Sequence, residues 1–272
     1  MNYLQFDFTT TGAEQTEQLI ALLAEAGFEG FEEIENGLKA FIPKDSFQQE
    51  RFDNVLSVVP VKYIWEEVAP QNWNANWESS FEPIRVNDFV GIRAGFHAPM
   101  DGVQHELIIT PKMSFGTGHH ATTWLMIEQM RALPMQDKTV LDFGTGTGVL
   151  AILAEKLGAA SVTAIDNDEW SIDNAAENIG QNACSKINLY QADSIPAGQQ
   201  YDIILANINL NVILASLPAI VAAATPATHI LLSGFLMTDE VTLFKALAMA
   251  GFACTAITQR GEWICLWVNK MK

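Results

Sequence analysis

The stretch from Thr139 to Asp166, TVLDFGTGTGVLAILAEKLGAASVTAID, constrains the fold of this 272-residue chain more than any other part of it. An apolar run that closes on Asp142 is followed by alternate glycines and then by apolar residues at helical spacing. A second apolar run ends on Asp166. This order predicts a strand, a tight loop, a helix and a second strand, which together form half of a nucleotide-binding α/β unit.

The glycines and the acids predict the kind of ligand. Glycine adopts positive φ angles freely, and its missing Cβ lets backbone N–H groups approach a ligand at the helix N-terminus. Asp166 ends the second strand, where a carboxylate can accept both hydroxyls of a ribose. A glycine-rich loop alone also fits an ordinary packing turn. The loop and both acids together favour an adenosyl ligand, with Gly144, Gly146 and Asp166 as binding residues.

The spacing of the glycines separates two adenosyl ligands. A dinucleotide fingerprint has a third glycine where this sequence has Val149. Asp142 would also place negative charge where a pyrophosphate must lie. S-adenosylmethionine (AdoMet) has no phosphate and carries a sulfonium and an ammonium, so an acidic loop suits it. We therefore expect AdoMet rather than NAD as the cofactor.

Alternating strand and helix patterns continue to the end of the chain and predict the larger domain. The last two strands form a hairpin that turns at Arg260–Glu262. A terminal antiparallel hairpin on a parallel sheet is typical of AdoMet methyltransferases. We expect residues 84–272 to form a Rossmann-like AdoMet methyltransferase domain with a mostly parallel, seven-stranded sheet.

The first 70 residues have the pattern βαββαβ, which is the order of a ferredoxin-like domain. Asp45 or Ser46 is the expected cap of its second helix. Because no chemistry is visible in this part of the sequence, we expect residues 1–70 to form a small α+β ferredoxin-like domain that recognises the substrate.

The segment 71–83 is polar apart from three aromatic residues and is predicted to be a linker. Trp73 and Trp77 are four residues apart, so they would lie on one helical face and dock the linker on a neighbouring surface. Two strands are expected to follow, one from Val86 to Ala94 and one from Gln104 to Ile109.

The net charge of −17 is concentrated in the front part of the chain. Fifteen acids and four bases precede residue 83, which gives −11. Such a surface repels nucleic acid and attracts cations, so the expected partner is a basic polypeptide, with no direct nucleic acid binding. Acidity that only keeps the protein soluble is an equally compatible interpretation.

Location follows from what the sequence lacks. The N-terminus MNYLQFDF has no basic region before an apolar core, so no signal peptide is expected. The uncharged run from Ile203 to Thr238 is interrupted by asparagines and by Pro218, so it is not expected to cross a membrane. The three cysteines show neither metal spacing nor a secreted disulfide framework. We expect a cytoplasmic monomer.

A second glycine-rich loop, PKMSFGTGHHATT over residues 111–123, precedes a helix predicted from Trp124. Its threonine hydroxyls, including that of Thr123, can meet the ligand from the face opposite the first loop. The paired His119 and His120 would need a third ligand to hold a metal, and none is apparent nearby. We expect no metal site, and the histidines either orient the loop or face the cleft.

Three polar residues follow later strands, where ligands bind in open α/β sheets. Asn207 is expected to face the reactive end of the cofactor. Asn209 is expected to cap the next helix. Asp193 is compatible either with a contact to the adenine amine or with an ordinary loop position.

Several motifs together carry a family resemblance. PKMSFGTGHHATT, LDFGTGTGVLAILAEKLGA, AIDND, ANIN, SGF and GEW resemble the bacterial ribosomal protein L11 methyltransferases, and the match covers nearly all of the predicted catalytic domain. The family also has a ferredoxin-like front domain. The resemblance implies AdoMet contacts from Thr123, Gly144, Asp166 and Asn207. It also implies methylation of lysine ε-amines, with the N-terminal α-amine as a further candidate, on a ribosomal large-subunit protein.

Two other functions stay open at the level of sequence. One is an amine methyltransferase with another protein or a nucleobase as substrate. Many of those have Asn or Asp followed by Pro-Pro and an aromatic residue, which the segment Asn207–Leu210 lacks. The other is a non-catalytic module that binds AdoMet for assembly. If the protein is catalytic, we expect an oxygen of Asn207 to accept an N–H bond from the amine. This bond would direct the lone pair of the amine nitrogen at the methyl group.

Overall fold

The computed structural model describes residues 3–34, 37–68, 82–110 and 118–271. The chain divides into two compact units, Met1–Ser80 and Phe81–Lys272. Most of the predicted linker 71–83, with Trp73 and Trp77, lies outside the described residues.

The first unit has the predicted order βαββαβ. Its antiparallel sheet has the strand order β2-β3-β1-β4, which is ferredoxin-like. The elements are β1 (Tyr3–Thr9), α1 (Ala13–Glu25), β2 (Gly30–Ile34), β3 (Gly37–Pro43), α2 (Gln49–Val58) and β4 (Lys62–Val68).

Alternation along β1 builds the core of this unit. Leu4, Phe6 and Phe8 are buried, and the residues between them are only partly buried on the other face. The expected cap at Asp45 or Ser46 is wrong, because Lys44–Ser46 forms a separate 3-10 turn and α2 begins at Gln49. Phe47 is extended and packs against the core, which ends the turn before the helix starts.

The second unit begins with a small sheet of its own. It contains β5 (Ile84–Val86), β6 (Val90–Arg93) and β7 (His105–Ile108). The single strand predicted from Val86 to Ala94 is therefore wrong. Asn87 has a φ of 50°, and the Phe89 N–H donates to the Val86 carbonyl at 3.1 Å, so a tight turn divides the segment.

The main sheet has seven strands in the order β10-β9-β8-β11-β12-β14-β13. The first five are parallel to one another, and the last two form the predicted antiparallel hairpin. Its strands are β8 (Thr139–Phe143), β9 (Ser161–Asp166), β10 (Ile187–Gln191), β11 (Tyr201–Asn207), β12 (Ala224–Leu236), β13 (Phe252–Arg260) and β14 (Trp263–Lys270).

Among the described residues, five helices accompany this sheet, and two buried apolar clusters form its core. They are α3 (Ala121–Met130), α4 (Val149–Lys156), α5 (Glu169–Gln181), α6 (Leu210–Ala223) and α7 (Glu240–Met249). Among the described helices, none has the length and apolar character that a bilayer crossing requires.

The order of the parallel strands determines where a ligand can bind. The chain runs outward from β8 to β9 and β10, and then returns to β11 on the other side of β8. A crevice opens at such a switch point, outside the carboxyl ends of the two central strands. Gly144 follows β8, and Asn207 ends β11. The predicted fold, a Rossmann-like domain preceded by a ferredoxin-like unit, is confirmed.

Candidate active site

A cavity of about 490 Å³ lies at this switch point. A volume of this size is typical of small-molecule sites. Four of the predicted binding residues line it, namely Gly144, Gly146, Asp166 and Asn207.

The glycine loop is held in shape by its own backbone. Gly144 and Gly146 have φ angles of 76° and 55°, in the left-handed region where glycine is favoured. The N–H groups of Gly144 and Thr145 both donate to the Ile165 carbonyl at 2.9 Å. The loop that follows β8 is thereby tied to the end of β9.

Asp166 is anchored at the cavity wall by two backbone donors. Its Oδ2 accepts from the Gly146 N–H at 2.8 Å, and its Oδ1 accepts from the Asp168 N–H at 3.1 Å. Each carboxylate oxygen can accept a further bond. The carboxylate is thus oriented in advance for hydroxyl donors such as those of a ribose, and that contact stays a prediction.

Asp142 has a different place from the one expected. It is buried, and its Oδ2 accepts from the Thr145 hydroxyl at 2.6 Å and from the Ala151 N–H at 3.1 Å. Its Oδ1 has no hydrogen-bond partner among the described residues. Burial raises the pKa of this carboxyl from 3.8 to about 7. Asp142 therefore connects the glycine loop to α4 instead of presenting a charge to a ligand.

Asn207 is 8% exposed and combines one satisfied and one open polar atom. Its Nδ2 donates to the Thr123 hydroxyl oxygen at 3.2 Å. Its Oδ1 is buried and has no partner among the described residues. Since a threonine hydroxyl can donate or accept, either orientation of the amide leaves one of its polar atoms open. An open polar atom in a cavity wall is a position where a ligand can complete the hydrogen bonding.

Thr123 lies deeper than the sequence suggested. The predicted start of α3 at Trp124 is three residues late, because the helix begins at Ala121 and includes Thr123 in its first turn. Thr123 is fully buried, and its hydroxyl bonds Asn207. Its direct contact with a cofactor stays a prediction, whereas its contact with Asn207 is part of the structure.

Two glycines make room for Ile208. A Cβ at Gly144 would overlap Ile208 Cγ2, and a Cβ at Gly234 would overlap the Ile208 backbone. Gly234 has a φ of 101°, and the Ile208 N–H donates to the Ser233 carbonyl at 3.1 Å. The segment after β11 is thus enclosed by the glycine loop on one side and by β12 on the other. We call this enclosure of Ile208 by Gly144 and Gly234 the clamp. Gly234 belongs to the SGF motif, but its contact with Ile208 was not predicted from the sequence.

Two further polar residues lie at the cavity. Asn209 caps α6 as predicted, because its side chain accepts from the Val212 N–H at 3.1 Å. Asp193, which follows β10, lines the cavity. This position favours the interpretation in which Asp193 contacts a ligand.

His120 and Trp263 form an aromatic corner of the cavity. Their rings meet edge to face, with centroids 4.4 Å apart. His120 Nδ1 accepts from the Thr122 N–H at 3.3 Å and so caps α3. Burial lowers the pKa of His120, which favours a neutral imidazole. Sequence reasoning included Trp263 only within the GEW motif.

His119 is exposed, and residues 111–117 of its loop lie outside the described residues. Over the described ranges, no group of three or more His, Cys, Asp or Glu residues is arranged to hold a metal ion.

The lining of the cavity fits AdoMet better than a dinucleotide. Of the described residues at the cavity, none is lysine or arginine, and two are acidic, Asp166 and Asp193. A pyrophosphate would be left without a cationic partner there. A ligand with a sulfonium and an ammonium would have these two carboxylates as counter-charges instead.

A family model and several relatives match this chain over most of its length. The family model described as ribosomal protein L11 methyltransferase (PrmA) matches residues 6–271. The ribosomal protein L11 methyltransferase of Phocaeicola vulgatus is 38% identical over 273 residues, which is 97% of each chain. The protein of the same name from Porphyromonas gingivalis is 40% identical over 256 residues, or 91% of this chain and 88% of the relative.

A solved structure agrees with these relatives. The crystal structure of ribosomal protein L11 methylase from Lactobacillus delbrueckii subsp. bulgaricus superposes with a TM-score of 0.66 at 28% identity. It covers 71% of this chain and 100% of that chain.

Proposed function

This chain belongs to the ribosomal protein L11 methyltransferase family, and we propose that it transfers methyl groups from AdoMet to amino groups of ribosomal protein L11. The observation that carries the catalytic part of this proposal concerns Asn207, which lines the cavity. Its Oδ1 is buried and has no hydrogen-bond partner among the described residues. A polar atom held in this way can bind an N–H group of an incoming amine. Lysine ε-amines are the proposed acceptors, and the N-terminal α-amine is the second.

The amine must lose a proton before it can react. A lysine with a pKa of ~10.4 is mostly ammonium at neutral pH, and exposing its lone pair costs about 4 to 5 kcal/mol. Desolvation in a narrow cavity lowers the pKa of an amine and recovers part of this cost. Because no residue in the motifs is obliged to accept the proton, we propose that it leaves to water.

When bound, AdoMet supplies an electrophilic methyl group on a sulfonium. Asp166 would hold the ribose, and Gly144 and Gly146 allow the loop to approach the ligand closely. Asn207 would accept an N–H bond from the amine and direct its lone pair along the axis of transfer. Alignment of the amine nitrogen with that methyl group would be the main contribution of the protein.

Thr123 would act through Asn207. Its hydroxyl binds one polar atom of the amide, which would restrain the rotation of the Asn207 side chain. Asp193 would contact the adenine amine from the end of β10. His120 and Trp263 would close the aromatic side of the cavity and exclude water from the reacting amine.

We propose that the first unit recognises the ribosomal protein. This substrate is basic and is attracted by the net charge of −11 on residues 1–82. The same acidic charge disfavours direct nucleic acid binding. A monomer in the cytoplasm is the form in which we expect the protein to act.

Methyl transfer with labelled AdoMet tests this function. Purified L11, an unrelated basic protein and RNA are offered as separate acceptors, and calorimetry measures AdoMet binding in parallel. The proposal predicts AdoMet binding and incorporation of label into L11 alone. AdoMet binding without transfer to any acceptor would support a non-catalytic module, and preferential labelling of another acceptor would contradict the substrate assignment.

A further inference from the structure

β4, at one edge of the front sheet, presents large apolar side chains to solvent. Tyr63 is 37% exposed, Ile64 is 71% exposed and Trp65 is 59% exposed. They are consecutive residues, so they alternate between the two faces of the sheet. The register pairs Trp65 with Phe6 and Tyr63 with Phe8, which places both rings on the buried, helix-covered face, while Ile64 lies opposite Asp7 on the other face.

Tyr63 and Trp65 line a groove of about 340 Å³ in the first unit. Its walls also contain three phenylalanines, Phe6, Phe47 and Phe52. The Tyr63 ring meets the Phe52 ring edge to face at 5.1 Å, and the Trp65 ring stacks on the Phe6 ring at 6.3 Å. Phe6 and Phe52 are thus buried within this aromatic cluster, whereas Tyr63 and Trp65, on the β4 side, remain exposed to solvent.

Trp65 packs on the core but is not enclosed by it. Phe6 and Phe52 are 2% and 1% exposed, whereas Trp65 is 59% exposed. Large aromatic residues are enriched at binding surfaces, because they supply much contact area with few rotatable bonds. A tryptophan that is more than half exposed above a packed aromatic floor has the character of a binding anchor.

The net charge of the front part of the chain favours a cationic partner. Lys44 and Glu67 both line the groove and form an ion pair at 2.6 Å, so their two charges offset each other. The front part of the chain carries a net charge of −11 from 15 acids and 4 bases before residue 83. Lysine and arginine side chains bind over the faces of tryptophan and tyrosine, and nearby acids add to that attraction.

We propose that the groove formed by Tyr63, Trp65 and the Phe6, Phe47 and Phe52 floor binds a lysine- or arginine-bearing segment of the ribosomal protein substrate. The proposal rests on the proposed function, because it takes L11 as the partner of the first unit. A cationic side chain lies over the Trp65 ring, and the attached apolar segment fills the groove. Binding there increases the local concentration of the substrate without taking part in the chemistry.

The experiment compares Trp65→Ala with Ile64→Ala in the full-length protein. Ile64 is a matched control, since it lies on the same strand, is more exposed and faces the opposite side. Calorimetric titration measures L11 binding, and steady-state kinetics measures methyl transfer. Trp65→Ala is expected to weaken L11 binding and to raise KM by roughly tenfold or more, as for other tryptophan anchors. The AdoMet affinity and kcat stay at the wild-type values, and Ile64→Ala resembles the wild type.

Trp65→Phe keeps an aromatic face and is expected to restore most of the L11 affinity. Thermal unfolding of each variant shows whether the first unit is folded. Equal L11 affinities for Trp65→Ala and Ile64→Ala would overturn the proposal. A loss confined to kcat or to AdoMet binding, or a change in self-association measured by sedimentation, would also overturn it, because the groove would then serve another occupant.

The binding readout separates this inference from the function on which it rests. Wild-type protein that binds L11 through Trp65 but transfers no methyl group would contradict the proposed function and support the groove. Wild-type protein that methylates L11 with the same KM after Trp65→Ala would support the function and contradict the groove.

Discussion

Asn207 Nδ2 donates a hydrogen bond to the Thr123 hydroxyl oxygen at 3.2 Å, and this bond joins the end of β11 to the first turn of α3. The two residues are 84 positions apart in the sequence. The bond occupies one polar atom of the Asn207 amide, and the other is buried with no partner among the described residues. The geometry of the site therefore depends on contact between two separate motifs.

Asn207→Ala removes the open polar atom. We expect kcat for methylation of L11 to fall by roughly a hundredfold, because the amine loses its alignment with the methyl group. The AdoMet affinity, measured by calorimetry, changes much less. Unchanged turnover together with unchanged AdoMet affinity would contradict the role of Asn207.

Thr123→Val preserves the shape of the side chain and removes the hydroxyl. The Asn207 amide then lacks its buried partner, at a cost of about 1–3 kcal/mol. We expect kcat to fall by roughly tenfold, since the amide is less well oriented. Thr123→Ser retains a hydroxyl and is the matched control, with activity near that of the wild type. Equal activities of the two variants would show that the bond does not position Asn207.

Gly234→Ala tests the clamp around Ile208. The new Cβ would meet the Ile208 backbone, and the φ of 101° would be strained for alanine. We expect a loss of roughly 2–5 kcal/mol in the free energy of unfolding, together with a loss of activity. Gly251→Ala is the control, because its φ is 80° and its Cβ would meet no atom within 4 Å. A similar loss for both variants would mean that φ strain alone, and not the clamp, is responsible.

Asp142 predicts a specific dependence of stability on pH. Burial raises its pKa from 3.8 to about 7 in the folded protein, so the folded state holds a proton that the unfolded state has released. The stability associated with this proton is present below pH 3.8 and is lost as the pH rises through about 7, with a slope of up to about 1.4 kcal/mol per pH unit.

Asp142→Asn does not titrate and should escape this loss. Its free energy of unfolding, measured with denaturant at several pH values, is expected to rise relative to that of the wild type between pH 5 and pH 8, a range that includes the Asp142 pKa of about 7. Parallel curves for the two proteins would show that Asp142 is ionised throughout this range.

Local sequence patterns predicted the parts of the site that lie within one βαβ unit. Gly144, Gly146 and Asp166 belong to a single strand, loop, helix and strand, so their spacing determines their relative positions. The strand that divides at Asn87 was predictable in principle, because Asn87 and Asp88 form a turn signal that was not used.

Contacts between distant segments were beyond the reach of spacing. Ile208 lies between Gly144 and Gly234 because strands from different crossovers are neighbours in the sheet. The depth of Thr123 depends on where α3 begins. Asp142 changed from an expected ligand-facing charge to a buried link because its burial follows from packing of α4 over β8.

Mass spectrometry of L11 after incubation with this protein and AdoMet shows whether methyl groups are transferred to L11. We expect that L11 gains the mass of whole methyl groups on its amines, and that Asp166→Ala loses both AdoMet binding and this modification. L11 that stays unmodified at an AdoMet concentration shown by calorimetry to saturate the protein would contradict this expectation.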